Sequence, residues 1–361
     1  MKKRLISLFL TVVLLSSLCL STYAIGGLEG VTIEEGPMTG ITLSQSASPT
    51  GAIAVGRTLS TGSTYYLRLS GALVSSTGDF SVSGWMPDEL LNNGADMVSP
   101  TYIVGGNDDR TRLYNSYVAP YSAIGLVVIT WRWEENGVAY TSSDTGTGWL
   151  ISKNTVITSA HLLCSRDKGW ATEVLFIPGI NQANALNFTA YPFGYANATD
   201  IAVSVPWYES EYVGPWYDWG VMRLDSDIGL QSGFLGFKCL TGNPMNTPIV
   251  TSGYPGDLNN GVLPSNNINA TAYQYYSTNL INFTSSGSDT FSNITHHYRL
   301  YYTDIDSCGG QSGAPLLYYV DGEYEGCGIV SEATNSVYTE CIGINEQLFS
   351  FLLGYRGYPQ F

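Results

Sequence analysis

Asp306-Ser307-Cys308-Gly309-Gly310-Gln311-Ser312-Gly313-Ala314-Pro315 is the stretch of this chain that points to a fold. Its glycines let the backbone turn tightly, so that amide N–H groups can converge beside the Ser312 hydroxyl. This is the layout of a serine nucleophile loop, in which we expect the N–H groups of Gly310 and Ser312 to stabilise an oxyanion. A Gly-x-Ser-Gly match is weak by itself, so the prediction depends on the residues that precede it.

Two further segments precede the loop in the order of a catalytic triad. Thr158-Ser159-Ala160-His161 places a histidine after a strand and a turn of small residues, where the ring can serve as general base to Ser312. Tyr217-Asp218-Trp219-Gly220-Val221 places a carboxylate at the start of an apolar run, where its burial calls for a partner such as an imidazole N–H. The order histidine, aspartate, serine predicts one fold among the convergent triad folds.

Other residues compete for the same roles. Asp200 also begins an apolar run, Asp200-Ile201-Ala202-Val203, and is the alternative to Asp218 as the orienting carboxylate. His296 and His297 lack the small-residue segment that precedes His161, and we expect both at the surface.

The N-terminus has the features of an export signal. Lys2, Lys3 and Arg4 precede an apolar run from Leu5 to Leu20, and residues 1–24 are therefore predicted to be a signal peptide of a secreted, extracellular protein. A membrane anchor is the alternative, but the run is short for a spanning helix. The formal net charge of −15 argues against nucleic acid or an anionic membrane as a partner.

The rest of the chain divides into two predicted parts. Residues 25–102 are rich in Gly, Ser and Thr and carry no catalytic constellation, so we interpret them as a pro-segment, with an attached accessory domain as the alternative. Residues 103–361 form the predicted catalytic domain, with a junction between two lobes at about 226–240. Many short strands at regular spacing predict an all-β barrel or sandwich, and Gln347 to Leu353 is a candidate terminal helix.

The cysteines remaining after signal removal are odd in number: Cys164, Cys239, Cys308, Cys327 and Cys341. Export favours disulfides, with one thiol left over. The pairings Cys308 with Cys341 and Cys239 with Cys327 are suggestions only, because a sequence does not fix connectivity. The absence of any Cys-x-x-Cys pair and the presence of only three histidines argue against a structural zinc site, and we expect no metal or cofactor.

Together these segments resemble the chymotrypsin-like serine proteases, and most closely the secreted bacterial glutamyl endopeptidases of the Staphylococcus V8 and Bacillus type. The resemblance covers about residues 103 to 350 and includes Asn107 to Arg112, Gly148 to Ile151 and Ser252 to Asp257 besides the three catalytic segments. It implies an all-β fold of two six-stranded antiparallel β-barrels with a short C-terminal helix, an active site between the lobes, and synthesis as a zymogen. We expect a monomer that acts on protein or peptide substrates.

The chain departs from this family in its substrate pocket. Relatives hold the substrate glutamate with a histidine on the strand after the nucleophile loop, and Val330 takes that place here. Ser307 matches a hydroxyl residue of the family's pocket and remains available. Asp306 lies six residues before Ser312, where trypsin-like enzymes bind basic side chains, but Bacillus-type relatives also carry Asp there. The resemblance therefore leaves open whether the substrate residue is acidic, basic, small or apolar.

Two further departures concern activation and the cysteines. Ile103-Val104-Gly105-Gly106 matches the mature start of trypsin-like enzymes, but the residue before the nucleophile is Gln311, which carries no charge for an activation salt bridge. The Bacillus-type cysteine after the catalytic histidine is Leu162, which makes Cys164 the candidate unpaired thiol.

Two other functions compete with a secreted serine endopeptidase. A catalytically silent protease fold that acts as a binding or adhesive module is the first, and the intact triad speaks against it. An esterase or other acyl hydrolase is the second, and the chain lacks the Ser-Asp-His order of α/β-hydrolases.

Overall fold

A computed structural model of the chain describes residues 42–70, 73, 78–91, 108–183, 191–210, 214–259, 271–320, 322–334 and 338–357. The predicted signal peptide and the predicted mature start at Ile103 lie outside these residues. None of the described helices is long and apolar enough to cross a membrane.

The described residues form mostly strands, with few helices. The strands are β1 Thr42–Ser46, β2 Ala54–Thr58, β3 Thr64–Ser70, β4 Phe80–Val82, β5 Thr111–Arg112, β6 Ile124–Glu135, β7 Val138–Ser152, β8 Thr155–Thr158, β9 Cys164–Ser165, β10 Gly169–Trp170, β11 Glu173–Pro178, β12 Ala196–Ser204, β13 Gly220–Leu224, β14 Gly236–Cys239, β15 Pro248–Gly253, β16 Tyr275–Phe291, β17 Ile294–Thr303, β18 Pro315–Val320, β19 Glu323–Thr334 and β20 Tyr338–Gly343. The helices are α1 Asp88–Leu91, α2 Ala160–Leu163, α3 Val205–Glu209, α4 Gly229–Ser232 and α5 Glu346–Arg356, and 3-10 turns lie at Tyr121–Ala123 and Pro215–Tyr217.

The first barrel closes through the strand order β12-β11-β6-β7-β8-β13, with β13 pairing back onto β12. Its longest hairpin, β6–β7, turns at Asn136 and Gly137, which both have positive φ. Two consecutive positive φ angles match the twist of the flanking strands, and Asn-Gly is the favoured pair for such a turn. The inward side chains of these strands are fully buried, which gives the barrel a closed apolar interior.

The second barrel closes through the order β18-β15-β16-β17-β20-β19, with β19 pairing onto β18. All of these pairings are antiparallel. Helix α5 follows β20. Asn345 caps its N-terminus by accepting the Leu348 N–H with its side chain, and the helix buries Leu348, Phe349 and Phe351. The predicted double six-stranded antiparallel barrel with a short C-terminal helix is confirmed.

The two barrels pack closely against each other. The ring of Trp149, at the buried end of β7 in the first barrel, lies against Gly326 on β19 of the second barrel. A Cβ atom at Gly326 would come within 2.3 Å of that ring, so only glycine leaves room for the indole.

Residues 42–91 add strands to both barrels. In the first barrel, β2 pairs with β12 over five residues, and β3 and β1 continue the sheet outward. In the second barrel, β4 pairs with β14, and Trp85 and Phe234 exchange two backbone hydrogen bonds. Val55 and Leu67 are fully buried. This part of the predicted pro-segment is thus built into the core of the fold.

Two expectations about individual side chains are wrong. His296 is buried, with 2% of its surface exposed, because it points inward from β17 against Tyr217 and Phe291; His297 is exposed, as expected. The two suggested disulfides do not form in this structure, where the five cysteines among the described residues are all free thiols. Four of them are buried, and Cys308 is partly exposed.

Candidate active site

The imidazole of His161 and the carboxylate of Asp218 form a hydrogen-bonded pair. His161 lies in the short helix α2, directly after the buried strand β8, and Asp218 follows the 3-10 turn that precedes β13. His161 Nδ1 lies 2.7 Å from Asp218 Oδ2, and the His161 backbone N–H donates to Asp218 Oδ1 at 2.8 Å. Two contacts to one carboxylate fix the position and the rotation of the ring, with Nε2 turned to the other side.

Asp218 is buried and ionised. Burial acts to raise the pKa of its carboxyl group, but the charge of His161 and the hydrogen bonds from His161 and Ser331 outweigh burial and lower the pKa below its ordinary value. The Ser331 hydroxyl donates to Asp218 Oδ2 at 2.6 Å. A carboxylate with three donors keeps its negative charge in the interior and can stabilise a positive imidazole beside it.

Ser312 lies across the same cavity, on the loop before β18. Its hydroxyl is 3.3 Å from the Ser331 backbone oxygen, to which it donates. The loop is joined to β19 by two backbone hydrogen bonds, Gly313 N–H to the Val330 oxygen and Val330 N–H to the Ala314 oxygen. Strand β19 thus carries contacts to both Asp218 and Ser312.

The nucleophile loop requires glycine at two positions. Gly310 and Gly313 have φ angles of 98° and 88°, which favour glycine. A Cβ atom at Gly310 would come within 2.3 Å of the Tyr254 backbone oxygen, and one at Gly313 within 2.1 Å of the Thr147 backbone oxygen. Both strain and crowding therefore exclude other residues.

Two peptide groups of the loop turn their carbonyls toward internal donors. The Gly309 oxygen accepts the Gly256 N–H at 2.7 Å, and the Gln311 oxygen accepts the Ala314 N–H at 2.9 Å. In a trans peptide the N–H of the next residue points opposite to the carbonyl. The N–H groups of Gly310 and Ser312, the candidate oxyanion donors, therefore point away from these internal partners.

A cavity of about 620 Å³ connects these groups to the candidate substrate pocket. His161, Asp218 and Ser312 contribute to its lining together with Ser307 and Val330. The cavity also includes Arg166 and Trp207 from the first barrel; the Arg166 guanidinium lies 4.3 Å from the Trp207 ring centre. Side chains from both barrels therefore enclose one cleft.

The hydroxyl of Ser307, a residue of the cavity lining, is hydrogen-bonded to Thr339. Ser307 Oγ lies 2.7 Å from Thr339 Oγ1, and Thr339 Oγ1 donates to the Ile305 backbone oxygen at 2.6 Å. Thr339 is buried on β20, with 2% of its surface exposed. Val330 is equally buried and brings only apolar atoms.

Asp306, the possible ligand of a basic substrate residue, is tied to the segment that precedes β5. Its Oδ2 accepts the Asp109 backbone N–H at 2.9 Å. The Asp109 carboxylate accepts the Ser277 hydroxyl at 2.7 Å, and burial followed by the nearby charge of Asp306 gives Asp109 a raised pKa. Asp306 thus has a partner within the protein.

Asp200, the alternative to Asp218, lies elsewhere. Its Oδ1 accepts the Thr58 hydroxyl at 2.7 Å and the Tyr65 hydroxyl at 3.3 Å. It therefore binds side chains of β2 and β3 and is not the carboxylate that contacts His161.

Three residues of the site were missed by sequence reasoning: Ser331, Thr339 and Arg110. Ser331 directly follows Val330, so its place in the strand was a usable signal. Arg110 donates to the side chain of Gln311, 201 positions along the chain, and Thr339 contacts Ser307, 32 positions away, so no local pattern identifies either contact.

Comparisons with known proteins agree with this architecture. A family model described as trypsin matches residues 130–352. A glutamyl endopeptidase of Bacillus licheniformis is 30% identical over 238 residues, which are 64% of this chain and 61% of that protein. An extracellular metalloprotease of Bacillus subtilis is 28% identical over 243 residues, which are 66% of this chain and 65% of that protein. Each match thus spans less than two thirds of the relative's own length.

A solved structure of a Glu endopeptidase in complex with MPD has the same fold. It superposes with a TM-score of 0.52 at 22% identity and covers 71% of this chain and 100% of its own. Among the described residues of this chain there is no group of three or more His, Cys, Asp or Glu side chains that could hold a metal ion.

Proposed function

Because this chain belongs to the trypsin family of serine endopeptidases, we propose that it is a secreted enzyme that hydrolyses peptide bonds through an acyl-enzyme on Ser312. The observation that carries the proposal is the 2.7 Å contact between His161 Nδ1 and Asp218 Oδ2 in the cavity that also contains Ser312. That contact leaves Nε2 as the ring nitrogen for proton transfer.

His161 would act as base and then as acid. The Ser312 hydroxyl, which donates to the Ser331 oxygen, must first turn toward Nε2, since catalytic hydrogen bonds often tighten only with substrate bound. The Ser312 oxygen then attacks the peptide carbonyl carbon while its proton passes to Nε2. The same proton goes to the leaving amine, and water repeats the sequence to release the acid.

The remaining groups would stabilise charge. The backbone N–H groups of Gly310 and Ser312 donate to the oxyanion of the tetrahedral intermediate, and a single such donor is typically worth about 3 kcal/mol. Asp218 holds the ring and stabilises the imidazolium, with Ser331 as its second side-chain donor.

Maturation and export belong to the same proposal. Residues 1–24 would direct secretion, and cleavage near Tyr102 would break the covalent connection between residues 25–102 and the catalytic domain. The name of the Bacillus subtilis relative, an extracellular protease, supports an extracellular location. The proposed enzyme acts as a monomer on protein or peptide substrates.

The P1 pocket, which holds the substrate residue before the cleaved bond, is proposed to be altered. Glutamyl endopeptidase is the name of the Bacillus licheniformis relative. In this chain Val330 is part of the cavity lining, and a valine side chain cannot donate to a carboxylate.

A serine-directed phosphonate tests the proposal. Matured protein should be labelled on Ser312 with loss of activity on a mixed peptide library, and Ser312→Ala should show neither label nor cleavage. Labelling without any cleavage would favour the silent binding module, and cleavage that survives Ser312→Ala would disprove the assignment of the nucleophile.

A further inference from the structure

We infer that the P1 pocket selects a side chain that donates a hydrogen bond, and that it prefers glutamine to glutamate. The inference rests on the proposed function, because it concerns the same cavity. The observation behind it is the direction of the hydrogen bonds that join Ser307, Thr339 and Ile305. That direction determines whether the Ser307 hydroxyl can donate to a substrate or only accept from it.

A count of protons fixes that direction. The Ile305 backbone oxygen can only accept, so Thr339 must use its single hydroxyl proton in the 2.6 Å contact with it. Thr339 then has none left for Ser307, and the 2.7 Å contact between the two hydroxyls requires Ser307 to donate. The proton of Ser307 points out of the cavity, and only its lone pairs remain for a ligand.

The surroundings of Ser307 favour the same kind of ligand. Val330, the neighbour in the cavity wall, has no donor. Asp306 precedes Ser307 directly, and Asp109 lies close enough to Asp306 for the two charges to interact. A carboxylate that enters this pocket would meet lone pairs and negative charge, whereas an amide N–H₂ would find an acceptor.

The described residues of the cavity lining include one cation, Arg166, but it belongs to the other side of the cleft. Arg166 packs on Trp207, whose ring lies 6.4 Å from that of His161, on the first barrel. Ser307 and Val330 belong to the second barrel. Arg166 therefore lies on the side of the cleft that carries His161, and Ser307 lies on the other side.

A matched pair of substrates tests the inference. Two peptides that differ only in P1, glutamine or glutamate, have nearly the same shape but present a donor or a charged acceptor. With matured wild-type enzyme at pH 8 we expect kcat/KM for the glutamine peptide to be about tenfold higher or more, because a buried polar site strongly rejects a ligand that leaves it unpaired. An equal or higher value for the glutamate peptide would overturn the inference.

A pair of variants tests the cause. Thr339→Val removes the acceptor of the Ser307 proton at nearly constant shape, so Ser307 can turn its O–H into the pocket and the glutamine-to-glutamate ratio should fall several-fold. Thr339→Ser keeps the hydroxyl and should keep the wild-type ratio. A ratio that is the same in Thr339→Val as in wild type would show that Thr339 does not set the preference.

The outcome also separates this inference from the proposed function. A peptide library cleaved only after residues without a donor, such as phenylalanine, would overturn the donor pocket but keep the endopeptidase. Ser312 that neither reacts with the phosphonate nor cleaves any peptide would overturn the endopeptidase itself. Thermal melting of both Thr339 variants checks that they fold.

Discussion

Arg110 donates from its guanidinium to the side-chain oxygen of Gln311 across 3.3 Å, and the same oxygen accepts the Cys308 backbone N–H across 3.0 Å. Arg110 is nearly buried and also pairs with Asp108 and Asp257. Gln311 carries no charge, yet it joins the segment before β5 to the loop that carries Ser312. The residue before the nucleophile was not expected to form an activation salt bridge, because Gln311 is uncharged. It is instead hydrogen-bonded to Arg110, which itself pairs with two carboxylates.

Arg110→Ala should lower kcat at least about tenfold with a smaller change in KM. Removing the guanidinium takes one hydrogen-bond donor each from Asp257 and Gln311 and loosens the loop that must hold the oxyanion donors. Steady-state kinetics on one peptide substrate measures the effect. Arg132→Ala is the matched control, because Arg132 pairs with Glu173 at the exposed surface and should change neither constant.

Asp218→Asn should lower kcat by about three to four orders of magnitude, since the amide cannot hold the His161 tautomer or stabilise the imidazolium. Asp200→Asn should leave kcat within about twofold, because Asp200 contacts Thr58 and Tyr65. The two variants make the same chemical change at a buried carboxylate beside His161 and at a partly buried carboxylate within β12. Loss of activity in Asp200→Asn alone would reverse the assignment.

The stability of the protein should fall between pH 6.5 and pH 4 because of His296. Burial lowers the pKa of this histidine to about 4. The unfolded chain takes up the proton near pH 6.5 and the folded protein only near pH 4, so the stabilisation is complete above 6.5 and is lost as the pH falls through this window. The loss is on the order of 3 kcal/mol.

Urea unfolding of wild type, His296→Asn and His297→Asn across this pH range measures the effect. His296→Asn should remove most of the pH dependence, whereas His297→Asn, at an exposed position, should keep it. Equal slopes for wild type and His296→Asn would mean that other groups cause the acid loss.

Among the five cysteines that the structure describes, Cys308 should be the one whose thiol reacts quickly in the folded protein. Burial raises the pKa of Cys164, Cys239 and Cys327 to about 12, and that of Cys341 well above its usual value. Cys308 lines the substrate cavity, so a methylthiosulfonate reagent should modify one thiol and block peptide cleavage. Cys308→Ala should resist inactivation. Rapid titration of several thiols before unfolding would contradict the prediction.

Residues 42–91 should remain bound after the chain is cut near Tyr102. The segment pairs with β12 and β14 and buries Leu67 and Val55, so it can leave only by opening both sheets. Gel filtration of cleaved protein should show one species, and denaturing electrophoresis should show two chains. Leu67→Ala, which removes about 2 to 5 kcal/mol from a buried site, should release the short chain, while Thr61→Ala at an exposed turn should not.

Much of the fold and of the site could be predicted because the signals are local. The glycines beside Ser312 and the small residues before His161 serve backbone requirements that act within a few positions. The contact of Ser331 with Asp218 joins residues 113 positions apart, and it depends on the closure of the second barrel. The burial of His296 likewise depends on which face of β17 points inward. The adjacent residues His296 and His297 point to opposite faces, and their identity does not determine which of the two is buried.

Residues 42–91 show the same limit. Their Gly, Ser and Thr content indicates turns and an expendable segment, but β2 has only five residues and its pairing with β12 spans more than 140 positions. Composition describes a segment by itself, whereas strand addition depends on an edge that another part of the chain supplies.

The contact between Trp149 and Gly326 limits how the enzyme can recognise substrate. Because an indole of one barrel fills the space of a missing side chain in the other, the barrels cannot hinge apart without opening a cavity of the size of the ring. We therefore expect no opening of the barrels to adapt the cleft to different peptides. The cleft then has its final shape before substrate binds. Selection among peptides depends on how well each one fits that shape, and a peptide that fits poorly gains nothing from induced fit.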